Sequence, residues 1–396
     1  MSLTDTPNAN RLHIALFGRR NSGKSSLINA LTGQDTALVS DTPGTTTDLV
    51  SKAMEIQGIG PCLFIDTPGF DDEGELGELR ISRTLKAIEK TDIALLLCGD
   101  TTFSHEKEML ALLKEKNIPV IPVLNKIDIR ENSDHLATYI EEQCKIHPLL
   151  ISAKEKIGIE LIRQAILEKL PSDFGQQSIT GKLVAENDLV LLVMPQDIQA
   201  PKGRLILPQV QTIRELLDKK CLVMNCTTDK FSATLQALAR PPKLIITDSQ
   251  VFKAIYEQKP KESELTSFSV LFAGYKGDIH YYVESAAVIE RLTESSRVLI
   301  AEACTHAPLS EDIGRVKLPR LLRKRIGENL QIDMVAGTDF PQDLTPYSLV
   351  IHCGACMFNR KYVLSRIERA REQHIPMTNY GVAIAFLNGI LDQIKY

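Results

Sequence analysis

The stretch "LHIALFGRRNSGKSSLINALTG", residues 12 to 33, decides the fold of the first part of the chain. A continuous apolar run reads as a buried strand, and the segment that follows has apolar residues at helical spacing. Between them stands G-x-x-x-x-G-K-S. Gly18 and Gly23 permit the sharp turn and the close backbone approach that nucleotide phosphates need. Lys24 can reach the β- and γ-phosphates, and the Ser25 hydroxyl is placed for Mg²⁺. Asn21, Ser22 and Ser26 complete the cradle.

Further segments follow in the order a GTPase requires. "DTPGTTTD" (41 to 48) offers Thr46 as a second Mg²⁺ ligand. "CLFIDTPG" (62 to 69) ends an apolar strand on Asp66, a carboxylate for the metal's outer shell, and Gly69 has an amide suited to a γ-phosphate. "VIPVLNKID" (120 to 128) ends a strand on Asn125, Lys126 and Asp128. The Asp128 carboxylate can accept from both N1–H and the exocyclic amine of guanine, a pairing adenine cannot match. "LLISAK" (149 to 154) adds Ser152, Ala153 and Lys154, the small loop that touches the guanine oxygen. Together these segments predict a P-loop domain that binds GTP, with its site along the carboxyl ends of a parallel sheet.

The rest of the composition is that of an ordinary globular protein. The chain has 396 residues, 43% hydrophobic and 24% charged, with a formal net charge of −4. That charge opposes a protein built to wrap nucleic acid. No apolar run approaches the roughly 18 residues that span a bilayer. A cytoplasmic, reducing location is expected, so the eight cysteines are read as core thiols, ligands or redox groups rather than disulfides.

Residues 171 to 187 read as a polar linker. Beyond them apolar runs alternate with helical patterns, predicting a small α/β domain with a parallel sheet over 180–262. It shows no acid–base constellation, so a dimerising role is the default, and Cys221 and Cys226 read as core thiols. Cys62, Cys98 and Cys144 read the same way in the first domain. A second polar connection (259 to 268) leads to another α/β domain, 268–396, with strands in "SSRVLIAEACTH", "LQIDMVAG" and "YSLVIHCGAC". Cys304 and His306 fall at the end of one strand; His352, Cys353 and Cys356 fall at the end of another. Three thiols with one histidine suit a closed zinc site. Three thiolates also suit a 4Fe–4S cluster with one exchangeable iron ligand, and the Cys353/Cys356 pair alone suits thiol redox chemistry. The residues leave these three open.

The first domain resembles the translation-factor-like GTPases that include MnmE and Era. Asn21 and "GTTTD" resemble the potassium-activated branch, which implies K⁺ at Asn21, hydrolysis stimulated by K⁺ and by dimerisation of the G domain, and Glu78 as catalytic glutamate. Phe70 stands where Ras-like enzymes carry a water-positioning Gln, so intrinsic hydrolysis is expected to be slow.

Taken whole, the chain resembles the HydF family of FeFe-hydrogenase maturation GTPases, whose mark is Cys-x-His followed by His-Cys-x-x-Cys. The resemblance implies a 4Fe–4S cluster on Cys304, Cys353 and Cys356, with His352 or His306 as a possible fourth ligand. It also implies a scaffold or carrier for the diiron subcluster precursor of the H-cluster. Its partners would be apo FeFe-hydrogenase, two radical-SAM maturases and a second copy of the chain. The alternative is an RNA-modification or ribosome-assembly GTPase with a zinc-binding C-terminal domain.

Overall fold

The structure is a computed structural model, and it describes residues 6–33, 50–69, 83–99, 103–171, 174–175, 177–196, 205–303 and 312–396. The chain divides into two compact units, Met1–Phe174 and Gly175–Tyr396.

In the first unit, β1 (Leu12–Gly18), β4 (Ile93–Cys98) and β5 (Val120–Leu124) are buried at every residue. Strands of this kind belong to parallel sheets covered on both faces. With β3 (Gly60–Asp66), β6 (Leu149–Leu150) and β2 (Val50–Ile56) they make a six-stranded sheet in the order β2-β3-β1-β4-β5-β6. Only β2, which the sequence pattern had not marked, runs antiparallel, as a hairpin partner of β3. Successive side chains of a strand point to opposite faces. Ala15 and Phe17 therefore pack with residues of the helices Ser104–Glu115 and Ser133–Cys144. Ile14 and Leu16 pack on the other face with the helices Lys24–Thr32 and Ile159–Glu168.

The second unit holds two parallel sheets of four strands each. One has β7 (Leu189–Val193), β8 (Leu222–Cys226), β9 (Leu244–Thr247) and β10 (Glu264–Ser267) in the order β10-β9-β7-β8. The other has β11 (Arg297–Glu302), β12 (Gln331–Ala336), β13 (Leu349–His352) and β14 (Met377–Asn379) in the order β12-β11-β13-β14. A shared core joins them: Leu191, Val193 and Ile245 from one sheet meet Leu299, Ala301 and Val350 of the other, through Val270 and Tyr282 of intervening helices.

Two stretches read as connections are built into this unit. Within 259–268, β10 pairs with β9, Leu265 opposite Ile245, and Ser267 caps the helix Phe268–Lys276 by accepting from the Val270 amide. Within 171–187, Ile179 and Val184 are buried, and the chain is tied to Glu215. That carboxylate accepts from the Ser178 hydroxyl (2.8 Å), the Ile179 amide (2.5 Å) and the Thr180 amide and hydroxyl (2.8 and 2.7 Å). No helix among the described residues is long and apolar enough to cross a membrane.

Burial pushes the Glu215 carboxyl up, but the donors from Thr180, Ile179 and Ser178 outweigh it and hold it below its ordinary value. Glu215→Gln is expected to lower the stability of the second unit by about 2 kcal/mol, the usual scale for hydrogen bonds to a charged group. A folded pKa below the unfolded one gives stability that is present above the ordinary carboxylate range and lost as pH falls through the depressed value. Urea unfolding of the two proteins from neutral to acid pH should show their difference closing in that window.

Candidate functional sites: a nucleotide cradle and a thiol loop

Gly23 starts the helix Lys24–Thr32 at φ +93°, and a Cβ there would collide with the Asn125 amide nitrogen. Glycine is required on both counts. Asn125, buried at the end of β5, is a strut: it donates to the Ser22 carbonyl (3.1 Å), and its oxygen accepts from the amides of Lys126 (2.8 Å) and Ala153 (3.0 Å). One side chain thus fixes the phosphate loop against both base-recognition loops. Asn21, Gly23, Lys24, Ser25, Ser26 and Lys126 line the resulting cleft. The Lys24 ammonium donates to the carbonyls of Gly18 (2.9 Å) and Arg19 (2.8 Å).

At the other end, Ser152 donates to Asp128 across 2.6 Å. This hydrogen bond is the main cause holding the Asp128 carboxyl below its ordinary value, so it stays an acceptor for guanine. Lys154 is exposed at the loop's end.

The residues present fit Mg²⁺. The Ser25 hydroxyl donates to one Asp66 oxygen at 2.5 Å, while the other, Oδ1, is buried without a hydrogen-bond partner. Burial raises the Asp66 pKa against the pull of Ser25 and Lys24, and a dication beside Ser25 would satisfy both oxygens. Gly69 lies just beyond Asp66 on the same edge; Thr46 and Glu78 lie outside the described residues. Sequence reasoning missed Glu106, fully buried, whose carboxylate pairs with Arg19 of the phosphate loop at 3.0 Å.

The thiol loop lies at the carboxyl edge of the last sheet. Strand β11 pairs in parallel with both β12 and β13, so chain order reverses between β11 and β13. Sheets of this kind open a crevice at such a point. Cys353 follows β13, and its sulfur accepts from the amides of Ala303 (3.0 Å), just past β11, and Ala355 (3.4 Å). Burial pushes the Cys353 thiol up to about 11. Cys356 follows on the same loop, and none of the described cysteines is in a disulfide. Cys304 and His306 lie outside the described residues, and among those described no three metal-ligating side chains converge.

His352 does not suit the ligand role. Its Nε2 faces Arg366 Nη1 at 2.8 Å and its Nδ1 faces the Cys353 carbonyl at 2.8 Å. Arginine only donates, so Nε2 accepts, Nδ1 carries the proton, and no lone pair is left for iron. Burial, then the Arg366 charge, lowers its pKa to about 3. Arg366 itself is fully buried, donates to the Gly337 carbonyl (2.6 Å), and stacks on Phe340, Phe358 and Tyr362 at 4.6–4.7 Å.

Known proteins add a second line of observation. A sequence model described as the hydrogen maturase F dimerization domain matches residues 179–277, and one described as the hydrogen maturase F tetramerization domain matches residues 280–395. The chain belongs to the hydrogen maturase F family. A further model, described as a 50S ribosome-binding GTPase, matches residues 13–126, so this family member carries a GTPase domain. The tRNA modification GTPase MnmE of Nitrosomonas europaea is 39% identical over 160 residues, 40% of this chain and 34% of that protein. GTPase Der of Wolinella succinogenes is 35% identical over 192 residues, 44% of this chain and 40% of that protein. The chain therefore spans well under half the length of these relatives. Among solved structures, Aquifex aeolicus Era is 19% identical with a TM-score of 0.35, covering 57% of this chain and 98% of that chain. The G domain of T. maritima FeoB is 24% identical with a TM-score of 0.32, covering 40% and 98%.

Two thiols and two converging amides fit the thiolate loop of an iron–sulfur site, and the polar groups behind it were hidden from sequence reading. Arg366 sits among the charges of the helix Arg360–Glu372 and reads as solvated; Lys276 ends an apolar helix with no motif around it. In the GTPase domain the base site should be separable from the phosphate site. Ser152→Ala, which frees Asp128, is expected to weaken GDP binding about tenfold, roughly 1.4 kcal/mol. Gly23→Ala should abolish it, both read by titration with a fluorescent guanine nucleotide.

Proposed function

We propose that the chain is a GTP-hydrolysing scaffold that holds a 4Fe–4S cluster on Cys304, Cys353 and Cys356 and carries the diiron subcluster precursor of the H-cluster. Apo FeFe-hydrogenase receives this cargo, and two radical-SAM maturases supply its ligands. The observation that carries the reading is the Cys353 sulfur held by the amide of Ala303, just upstream of Cys304, and by that of Ala355 in its own loop, in a chain matched by both hydrogen maturase F domain models. When bound, the cluster would offer one iron without a cysteine, an exchangeable tether for cargo that must leave. His306 is the histidine left for that position, because both nitrogens of His352 are engaged.

In the G domain, Lys24 would leave the carbonyls of Gly18 and Arg19 for the β- and γ-phosphates. Ser25 and Thr46 would hold Mg²⁺, and the Gly69 amide would meet the γ-phosphate. Asn21 would hold K⁺ beside them, with Glu78 orienting water in place of the missing glutamine. Homodimerisation is supported by β8, an edge strand of its sheet with Leu222 and Met224 exposed. Such edges invite pairing with another chain.

Anaerobic purification followed by iron, sulfide and zinc analysis tests the site. About four irons and four sulfides per chain are expected, falling sharply in Cys353→Ser, while GTP hydrolysis persists and hydrogenase activation is lost. One zinc without sulfide would return the chain to the RNA-modification reading. GTP hydrolysis should also be faster in K⁺ than in Na⁺, and Asn21→Ala should erase the difference.

A further inference from the structure

Lys276 is the last residue of the helix Phe268–Lys276 and is 2% exposed. Its ammonium sits against the thiol loop and donates to the carbonyls of Ala355 (3.1 Å), Cys356 (3.3 Å) and Phe358 (2.6 Å). An ammonium has three N–H groups, and this loop takes all of them. Among the described residues no carboxylate pairs with it. The same is true of Arg366, the second buried cation behind the loop, whose hydrogen bonds go to His352, Gly337 and Tyr362.

The direction of those bonds matters. In a trans peptide the carbonyl and the following N–H point in opposite directions. With the carbonyls of Ala355 and Cys356 turned toward Lys276, the amides of Cys356 and Met357 face away from it. Ala355, at φ +51°, supplies the left-handed residue that curves successive amides into a concave nest, a geometry that recurs at anion and iron–sulfur sites. The Cys353 sulfur already receives the Ala303 and Ala355 amides. The Cys353 carbonyl accepts from His352 Nδ1 (2.8 Å) and Asn379 Nδ2 (3.4 Å). Each of the carbonyls of residues 353, 355, 356 and 358 is bound by a side-chain donor, the Ala303 and Ala355 amides reach the Cys353 sulfur, and the Phe358 amide closes a turn on the Ala355 carbonyl (3.0 Å).

We propose that Lys276 is the positioning residue of the thiol site. Its buried ammonium sorts the dipoles of the loop, carbonyls toward itself and amides toward sulfur, and thereby selects an anionic metal–thiolate occupant. The proposal rests on reading Cys353 and Cys356 as metal-binding thiolates. It predicts that the loop's affinity for metal depends on a residue that never touches the metal, because removal of the charge frees the Cys356 and Phe358 carbonyls to turn toward the thiolates and oppose them.

The full-length chain tests this with Lys276→Met, which keeps the length and loses the charge, and with Lys276→Arg, which keeps the charge. Under argon, Co²⁺ alone is titrated into the cluster-free protein and read by its thiolate charge-transfer absorption. Lys276→Met should weaken Co²⁺ binding by about 10- to 100-fold, the usual effect of losing a partner behind metal ligands. Lys276→Arg should recover most of that loss. In protein reconstituted with iron and sulfide, Lys276→Met should move the cluster's reduction potential downward, because reduction adds negative charge beside a cation that is gone. If Lys276→Met unfolds by circular dichroism, Lys276→Gln carries the same expectation. A folded variant with wild-type Co²⁺ affinity and unchanged potential overturns the proposal and leaves the cluster reading standing. Wild-type protein that binds Co²⁺ through its thiols, in a Lys276-dependent way, yet takes up no iron and sulfide overturns the cluster reading and leaves the role of Lys276 intact.

Discussion

The parallel register that sets Ala301 opposite His352 is the constraint on which the chemistry of the C-terminal unit depends. It brings the end of β11 beside the end of β13, and so aims the Ala303 amide at the Cys353 sulfur. A slip of one residue would send every side chain of the strand to the other face. His352 would leave its buried partner Arg366, and Cys353 would leave the edge of the crevice. The register is held from both sides. Val298, Leu299, Ile300 and Ala301 are all fully buried, as are Leu349, Val350 and Ile351 opposite them.

The same logic governs the G domain with different residues. The phosphate loop follows β1 and the base loops follow β5 and β6, so the cradle exists only because those strands lie parallel in one sheet. Asn125 then turns proximity into rigidity. Its amide ties Ser22 to Lys126 and Ala153, so a nucleotide that shifts the phosphate loop also strains the base loops. Preorganisation of this kind lowers the ordering that binding would otherwise require.

What was legible in the sequence follows from what burial demands. Strands covered on both faces must be apolar throughout, and β1, β4, β5, β11 and β13 announce themselves as such runs. The phosphate loop is legible because only glycine fits at Gly23. Strands with short or mixed composition were not: "ELTS" of β10 and "MTN" of β14 are held by neighbours, with Leu265 opposite Ile245 and Met377 opposite Val350. The polar supports of the thiol loop were illegible for a related reason. Lysine and arginine are rarely buried, so Lys276 and Arg366 look like surface charges until the fold encloses them. His352 misled in the opposite way. Its place in "HCGAC" advertises a ligand, whereas the structure uses both of its nitrogens to join Arg366 to the Cys353 carbonyl.

The central claim is that the end of β11 and the loop after β13 make one iron–sulfur site. Crystals of the anaerobically reconstituted chain, with data collected on both sides of the iron absorption edge, address it directly. The account predicts one strong anomalous iron peak within bonding distance of the Cys353 and Cys356 sulfurs, on the side of the loop away from Lys276. Iron density elsewhere, or a zinc edge at this position, would contradict it.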